Sequence, residues 1–322
     1  MTMKRRKLGD LDVSAIGLGA PIYGETREED VAALIRRAVA LGVDLIDTAD
    51  QYLNGTHEEF IGRAIKGMRN QIVLATKFGN IRDEQGRPSA DGRPAFVASS
   101  CDKSLKRLGV DCIDLYYIHR IDRTVPIEET IGAMARLKEQ GKIRHLGITE
   151  AAPPTLRRAH ATHPMSAVQS EYSLWTRDPE REVLGVCAEL GIGFAAYSPL
   201  GRGFLTGAVD DAPLAAGDLR KRLPRFEPEN LRRNLTLLEP LKKLADAEGC
   251  SPAQLALAWL LSRRPFVVPL PGTRQQRWLD ENIAAADLAP SAATLREIDG
   301  LFSPDAVAGA RYPSDLAARV NI

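Results

Sequence analysis

Residues 41–52, LGVDLIDTADQY, carry the pattern on which the fold depends. A helix-like segment stops at a glycine, a short apolar strand follows, and the strand ends at an acid, Asp47. The pattern recurs at Leu108-Gly109-Val110 and at Leu190-Gly191-Ile192, and in each case an apolar run begins within about two to four residues. Because these runs are apolar throughout rather than alternating, the repeat indicates parallel strands covered by helices.

Eight such runs are found, and each is followed by a patterned helix. Eight β-α units predict the α/β class and a (β/α)8 TIM barrel, as a single domain over residues 1–322. A short N-terminal β-hairpin is expected around Gly9-Asp10. The predicted strands are 16–19, 44–47, 72–76, 111–118, 145–148, 167–170, 193–197 and 266–270; the predicted helices are 28–41, 57–66, 95–108, 127–139, 153–161, 180–190, 231–248 and 275–286, with another from Pro252 through Arg263.

A doubly wound sheet is the alternative architecture. It would hold a dinucleotide at a strand–GxGxxG–helix turn. Gly17-x-Gly19 lacks the third glycine, and Gly201-x-Gly203 opens a long loop over residues 199–230. A loop of this length is usually functional. It is expected to be mobile without cofactor and to fold over a bound cofactor. The other outcomes are a static loop packed through Leu205, Leu219 and Phe226, or a loop buried in a subunit contact. The first outcome is preferred, because little in its middle looks able to anchor it.

Composition excludes several classes of partner. The 322 residues are 44% hydrophobic and 26% charged with a net charge of +1, and the scattered Lys and Arg give no sign of a nucleic-acid or membrane partner. Four separated cysteines, no signal peptide and no membrane span predict a cytoplasmic protein. The single His pair, His160 and His163, lacks a third ligand, so no metal site is predicted. The sequence does not indicate an oligomeric state.

Polar residues stand where successive strands end. Asp47 follows the second predicted strand, Lys77 the third and His119 the fourth, and strand ends meet at one mouth of a barrel. Taken singly, each residue has an ordinary structural interpretation: Asp47 as a helix cap, Lys77 as a surface cation and His119 as a histidine near the core. Together with Tyr52 they predict a catalytic cluster in which Lys77 makes the phenol a better acid and Asp47 holds the lysine charged.

This cluster can protonate an alkoxide as it forms, which favours carbonyl chemistry on a small-molecule substrate. A Schiff-base lyase that uses Lys77 is an alternative from the same residues. The later strand ends are polar as well, at Thr149-Glu150, Gln169 and Tyr197-Ser198.

Several motifs along nearly the whole chain carry a family resemblance. They are 45–49 with Tyr52, 75–79, 114–119, 169–172, 197–203, and 271–274 with Glu281-Asn282. In these motifs the chain resembles the aldo-keto reductases, and in particular bacterial members of the aryl-alcohol and pyridoxal type. The resemblance implies carbonyl reduction with NADP(H) on a (β/α)8 barrel. It implies that Tyr52 is the general acid, that Lys77 and Asp47 tune it, and that His119 orients the substrate.

The resemblance also implies a set of cofactor contacts. Thr149, Glu150 and Gln169 would hold the nicotinamide carboxamide, and Tyr197 would stack on the ring. The pyrophosphate would lie along Ser198, Leu200, Gly201 and Gly203. The adenosine 2′-phosphate end would be held by Thr273, Arg274, Glu281 and Asn282, and the remaining cofactor contacts would be Gly19, Ala20 and Gly272.

Three departures from the family pattern concern the same mouth. Thr149-Glu150 replaces a common Ser-Asn pair, the loop at residues 20–24 looks short, and residues 53–59 differ from the usual sequence after the tyrosine. The last two segments would border the substrate, so the sequence does not identify it. Some relatives serve as regulatory subunits, and a cofactor-sensing binding protein is therefore a second alternative.

Overall fold

The computed structural model describes residues 3–20, 26–212, 214–215 and 217–320. Its strands are β1 Arg5–Leu8, β2 Leu11–Ser14, β3 Leu18–Gly19, β4 Leu45–Asp47, β5 Val73–Phe78, β6 Asn80–Arg82, β7 Pro88–Ala90, β8 Ile113–Ile118, β9 Ile143–Thr149, β10 Ala167–Glu171, β11 Gly193–Tyr197 and β12 Val267–Leu270. Its helices are α1 Glu28–Ala40, α2 Thr56–Ala64, α3 Pro94–Leu108, α4 Ile127–Glu139, α5 Pro153–Thr162, α6 Val183–Leu190, α7 Pro228–Leu235, α8 Leu238–Ala247, α9 Pro252–Arg263, α10 Gln276–Ala284, α11 Ala292–Leu301 and α12 Ser314–Ala317.

Eight strands form one parallel sheet in the order β12-β11-β10-β9-β8-β5-β4-β3. The first and last strands meet, because the Gly17 N–H donates to the Pro269 carbonyl at 3.0 Å and the Gly19 N–H to the Pro271 carbonyl at 3.1 Å. A Cβ on Gly19 would lie 2.8 Å from the Leu270 carbonyl oxygen, so only glycine permits this approach. The predicted (β/α)8 barrel is confirmed.

The antiparallel hairpin of β1 and β2 packs against one end of the barrel. Leu8 and Val13 are fully buried in a cluster with the barrel-interior residues Leu115, Tyr117 and Ala195. This places the hairpin at the end opposite the carboxyl ends of the strands. The predicted N-terminal hairpin is confirmed, and the other end of the barrel is left for the functional site.

The predicted helix 231–248 is wrong as a single element. The chain forms two helices, α7 and α8, with a break after Leu235. Pro240 explains the break, because it has no N–H to donate to the Thr236 carbonyl and its ring crowds that group. The β6–β7 hairpin and helices α11 and α12 were also not predicted from the sequence.

Candidate active site

A cavity of about 520 Å³ opens at the carboxyl ends of the barrel strands, a volume typical of small-molecule sites. It brings together most residues that the sequence analysis selected. The predicted residues that line it are Gly19, Ala20, Asp47, Tyr52, His119, Thr149, Gln169, Tyr197, Ser198, Leu200, Gly203, Gly272, Thr273, Glu281 and Asn282.

Lys77 lies fully buried behind the cavity and forms an ion pair with Asp47. Its ammonium also donates to the Thr48 carbonyl oxygen at 2.7 Å, and the other carboxylate oxygen of Asp47 accepts from Gln169 Nε2 at 2.9 Å. Although burial favours the neutral amine, the charge of Asp47 raises the pKa of Lys77 above its usual value. The lysine is therefore held as a cation at neutral pH.

Tyr52 is positioned by a sharp turn just after β4. Leu53 and Asn54 have φ values of 51° and 53°, a left-handed conformation that non-glycine residues rarely adopt. The buried Glu58 on α2 anchors this turn by accepting from Thr76 Oγ1 and from Arg107 Nε, both at 2.6 Å. Local strain is thus held by fixed contacts, as is common at functional sites.

The phenol of Tyr52 adjoins both Lys77 and His119. Lys77 Nζ lies 5.3 Å from the centroid of the tyrosine ring, and the His119 ring packs edge-on at 5.8 Å. Removal from water raises the pKa of Tyr52 while the charge of Lys77 opposes the rise. The phenol is therefore protonated at neutral pH, which is the state that a proton donor needs.

His119 is neutral in this environment. Burial lowers its pKa well below the usual value, and the charges of Arg120 and Lys77 lower it further. Its Nδ1 is buried with no hydrogen-bond partner among the described residues, so Nε2 is the ring nitrogen available to the cavity. A neutral imidazole can contact a carbonyl oxygen without adding a charge.

Asp50, two residues before Tyr52, provides a pH test of this region. Burial, and next the charge of Glu58, raise the pKa of Asp50 to about 7. Because the folded-state pKa exceeds the unfolded value, the carboxyl stabilises the fold most below about pH 4, and this contribution is lost as the pH rises towards 7. We expect Asp50→Asn to be more stable than the wild type by roughly 1–3 kcal/mol at pH 8, and by less at pH 5.

Urea unfolding of the wild type and of Asp50→Asn at both pH values measures this difference. Asp111→Asn, at an exposed position, is the matched control and should show no pH-dependent gain. An equal effect of Asp50→Asn at pH 5 and pH 8 would contradict the expected ionisation.

Three predicted cofactor contacts do not line the cavity: Glu150, Gly201 and Arg274. The carboxylate of Glu150 is buried and is bound by Arg311, with Nη1 to Oε2 at 3.1 Å, and by the Glu171 N–H at 3.0 Å. Arg274 is exposed just before α10. The Glu150 carboxylate is therefore occupied by protein groups rather than free for a carboxamide.

The C-terminal segment contributes residues to the site that were not predicted from the sequence. Tyr312 lines the cavity, and its hydroxyl lies 2.9 Å from the hydroxyl of Tyr197. Arg311 Nη2 donates to the same Tyr197 hydroxyl at 2.8 Å. No local signal marks Arg311 or Tyr312, because each lies more than a hundred residues from Tyr197 along the chain.

Arg311 belongs to a buried ionic cluster of Glu150, Glu171, Arg202 and Arg311. Arg202 Nη2 donates to Glu171 Oε2 at 2.6 Å, and Arg311 Nε donates to the same oxygen at 3.2 Å. Burial alone would raise the pKa of Glu171, but Arg202 and Arg311 lower it to about 2. The cluster therefore ties strand ends β9 and β10 to the C-terminal segment through ionised groups.

The sequence of the chain matches the model of the Aldo/keto reductase family over residues 15–302. The chain belongs to the aldo/keto reductase family. It is therefore an oxidoreductase of the carbonyl-reducing class that the family name describes.

Three solved structures of oxidoreductases resemble this aldo/keto reductase over nearly all of their length. A glycerol dehydrogenase from Gluconobacter oxydans is 28% identical, with a TM-score of 0.85 and coverage of 93% of this chain and 96% of that one. A holo-form aldo-keto reductase from Bacillus halodurans is 30% identical, with a TM-score of 0.79 and coverage of 97% and 99%. An aldo-keto reductase from Klebsiella pneumoniae in complex with NADPH is 29% identical, with a TM-score of 0.74 and coverage of 94% and 96%.

The long loop of this aldo/keto reductase is anchored at both of its ends. Phe204 stacks on Trp175 at 4.1 Å, and Phe226 packs edge-on against the same ring at 5.6 Å. These contacts hold the ends of the loop, whereas Leu219 in its middle is 52% exposed and is no anchor. The expectation that little in the middle anchors the loop stays a prediction. Whether the loop folds over a cofactor stays a prediction, and Pro213 within it lies outside the described residues.

Three other expectations concern a metal site, a membrane span and the loop at residues 20–24. Within the described ranges, no group of three or more His, Cys, Asp or Glu side chains could hold a metal ion, and no helix there is long and apolar enough to cross a membrane. The short loop expected at residues 20–24 lies outside the described residues except for Ala20.

Proposed function

We propose that this aldo/keto reductase reduces an aldehyde or a ketone to an alcohol, reversibly, with NADP(H). The observation that carries the proposal is the buried Lys77–Asp47 pair beside Tyr52 and His119, at the carboxyl ends of the barrel strands. An ammonium held charged next to a protonated phenol is the arrangement required to donate a proton to a developing alkoxide.

Each of the four residues has a defined task in this proposal. The Tyr52 hydroxyl gives its proton to the carbonyl oxygen, and in the oxidative direction the phenolate takes it back. Lys77 stabilises that phenolate, and Asp47 keeps the lysine charged. His119, neutral and fixed by its burial, donates a hydrogen bond that orients the carbonyl oxygen.

The lining of the cavity fits a dinucleotide. Gly19 and Gly272 line the cavity with backbone that carries no side chain. A Cβ at Gly272 would lie 2.9 Å from the Ala20 carbonyl oxygen, so a larger residue does not fit there. Thr149 and Gln169 supply polar groups beside the catalytic cluster, and Tyr197 supplies a ring held in place by Arg311 and Tyr312. NADPH, when bound, supplies the hydride. The NADPH complex of the Klebsiella pneumoniae relative supports this choice of cofactor.

A substrate screen tests the proposal. Aldehydes, ketones, sugars and pyridoxal are offered to the protein, and NADPH oxidation is followed at saturating cofactor. Turnover of at least one carbonyl class is expected. Tight NADPH binding with negligible turnover across the panel would favour a cofactor-sensing protein instead.

The alternative of a Schiff-base lyase needs a neutral, accessible lysine. Lys77 is fully buried, is paired with Asp47 and has a raised pKa, all of which oppose nucleophilic attack. Borohydride is therefore expected to trap no adduct between Lys77 and a carbonyl substrate.

Cofactor choice is expected to depend on Arg274. A charge-assisted contact between Arg274 and the 2′-phosphate is worth roughly 1.5–3 kcal/mol, so NADPH should bind about ten- to a hundredfold more tightly than NADH. Arg274→Ala should lose most of this preference, with the Kd of NADH unchanged. Fluorescence titration with both cofactors measures the effect.

Arg296→Ala is the matched control, since Arg296 is an exposed arginine on α11 for which no cofactor contact is predicted. It should leave both dissociation constants as in the wild type. Equal titration curves for NADPH and NADH with the wild-type protein would defeat the assignment of the 2′-phosphate site. A cytoplasmic location and a single domain stay predictions.

A further inference from the structure

Arg120 follows His119 directly at the end of β8 and lines the cavity beside Tyr52. Its Nη1 donates to the His119 carbonyl oxygen at 2.7 Å and to Thr149 Oγ1 at 3.3 Å. These two contacts fix one nitrogen of the guanidinium close to the catalytic cluster. A guanidinium has five N–H donors in a planar fork, so most of its capacity remains for other partners.

The other charged side chains that line the cavity have protein partners. Asp47 is paired with Lys77, Arg202 with Glu171, and Glu281 accepts from the Ser251 hydroxyl. Arg120, in contrast, has no carboxylate within ion-pair distance among the residues that the structure describes. Glu150 is close enough to act on the charge of Arg120, but its oxygens are bound by Arg311.

A second cation reinforces the positive charge at this end of the cavity. Arg319 donates to Asn80 Oδ1 at 2.6 Å and to the Ser89 carbonyl oxygen at 3.1 Å. Its charge acts on both His119 and Arg120. The guanidinium of Arg120 is therefore partly buried near a second cation and has no carboxylate partner among the described residues. A ligand with a negative group would supply the missing counter-ion.

We propose that Arg120 binds an anionic group on the substrate, and that the substrates of this enzyme are therefore carbonyl compounds that carry a carboxylate or a phosphate. The inference rests on the proposed function. Because Arg120 adjoins His119, the anionic group lies within a few bonds of the carbonyl that Tyr52 protonates. The cofactor phosphates are assigned to other segments, at 198–203 and 273–274, and do not compete for Arg120.

Matched substrate pairs test the proposal. Succinic semialdehyde is compared with butanal for the carboxylate, and glyceraldehyde 3-phosphate with glyceraldehyde for the phosphate, through kcat/KM at saturating NADPH. We expect the wild type to prefer the anionic member of at least one pair by about ten- to a hundredfold. The pair with the larger preference identifies the anion.

Three variants separate recognition from a structural role. Arg120→Met should abolish the preference and change kcat/KM for the neutral member much less. Arg120→Lys should retain part of the preference, since lysine keeps the charge but not the planar fork of donors. This variant tests the inference if Arg120→Met fails to fold. Arg123→Gln, on the same loop at an exposed position outside the cavity lining, should behave as the wild type.

Several outcomes would overturn the inference. The inference is wrong if the wild-type enzyme shows no preference for either anionic substrate. It is also wrong if Arg120→Met keeps the preference of the wild type. An equal fall in kcat/KM for both members of a pair would show that Arg120 only positions His119 and Thr149. Absence of turnover with every carbonyl would instead mean that the proposed function itself is wrong.

Discussion

Tyr52→Phe is expected to lower kcat by about 10²- to 10⁴-fold while NADPH still binds, because the variant keeps the ring and removes only the proton donor. The phenol lies beside the Lys77 ammonium and the His119 ring. Steady-state kinetics with the best carbonyl from the screen, together with a fluorescence titration of NADPH, measures both quantities.

Tyr116→Phe is the matched control for this prediction. Tyr116 is buried, stacks on Phe78 at 4.8 Å and does not line the cavity, and its hydroxyl has no partner among the described residues. The substitution should leave kcat unchanged and should not destabilise the fold. If Tyr52→Phe retained more than about a tenth of the wild-type kcat, Tyr52 would not be the general acid.

The barrel could be predicted from the sequence because each unit repeats a local signal. A glycine ends the helix, an apolar run forms the strand, and a polar residue ends the strand at the mouth. Asp47 and His119 follow from this rule alone, since position along a parallel strand determines which end of the barrel a residue faces. Pro240 is also a local signal, since it predicts a break in the helix. The helical pattern of residues 231–248 nevertheless led to the prediction of a single helix.

The C-terminal side of the site could not be predicted in this way. Arg311 reaches Glu150 across 161 residues of chain, and no periodicity or spacing relates the two. The anchoring of the long loop depends likewise on Trp175, which precedes it in a different βα connection. Arg120 is an intermediate case. Its place directly after His119 predicts its location, but not that it lacks a carboxylate partner among the described residues.

The non-glycine residues with positive φ give a structural signal for the site that the sequence lacks. In the described part of the chain these are Leu53, Asn54, Glu150, Ser198 and Arg202. Every one of them lies in a connection at the carboxyl end of a barrel strand. Such strain persists only where the surroundings fix it, which agrees with a preorganised site.

Arg311→Met is expected to destabilise the protein by about 3–5 kcal/mol at pH 7, the usual cost of leaving a buried charge without its partner. The side chains of Arg311 and Glu150 are only 9% and 1% exposed, so water cannot replace the lost contacts. Glu171 keeps its ion pair with Arg202, but Glu150 loses its only ion pair among the described residues. Urea unfolding measures the loss, and Glu150→Gln in the same variant should recover part of it.

The exposed pair of Arg222 and Asp315, with 63% and 61% of the side chains exposed, provides the control. Arg222→Met should cost less than about 1 kcal/mol. If Arg311→Met cost no more than this control, the ionic cluster would not hold the C-terminal segment on the site. In that case contacts other than those of Arg311 would hold the Tyr197 ring in place, and NADPH should bind the variant as tightly as it binds the wild type.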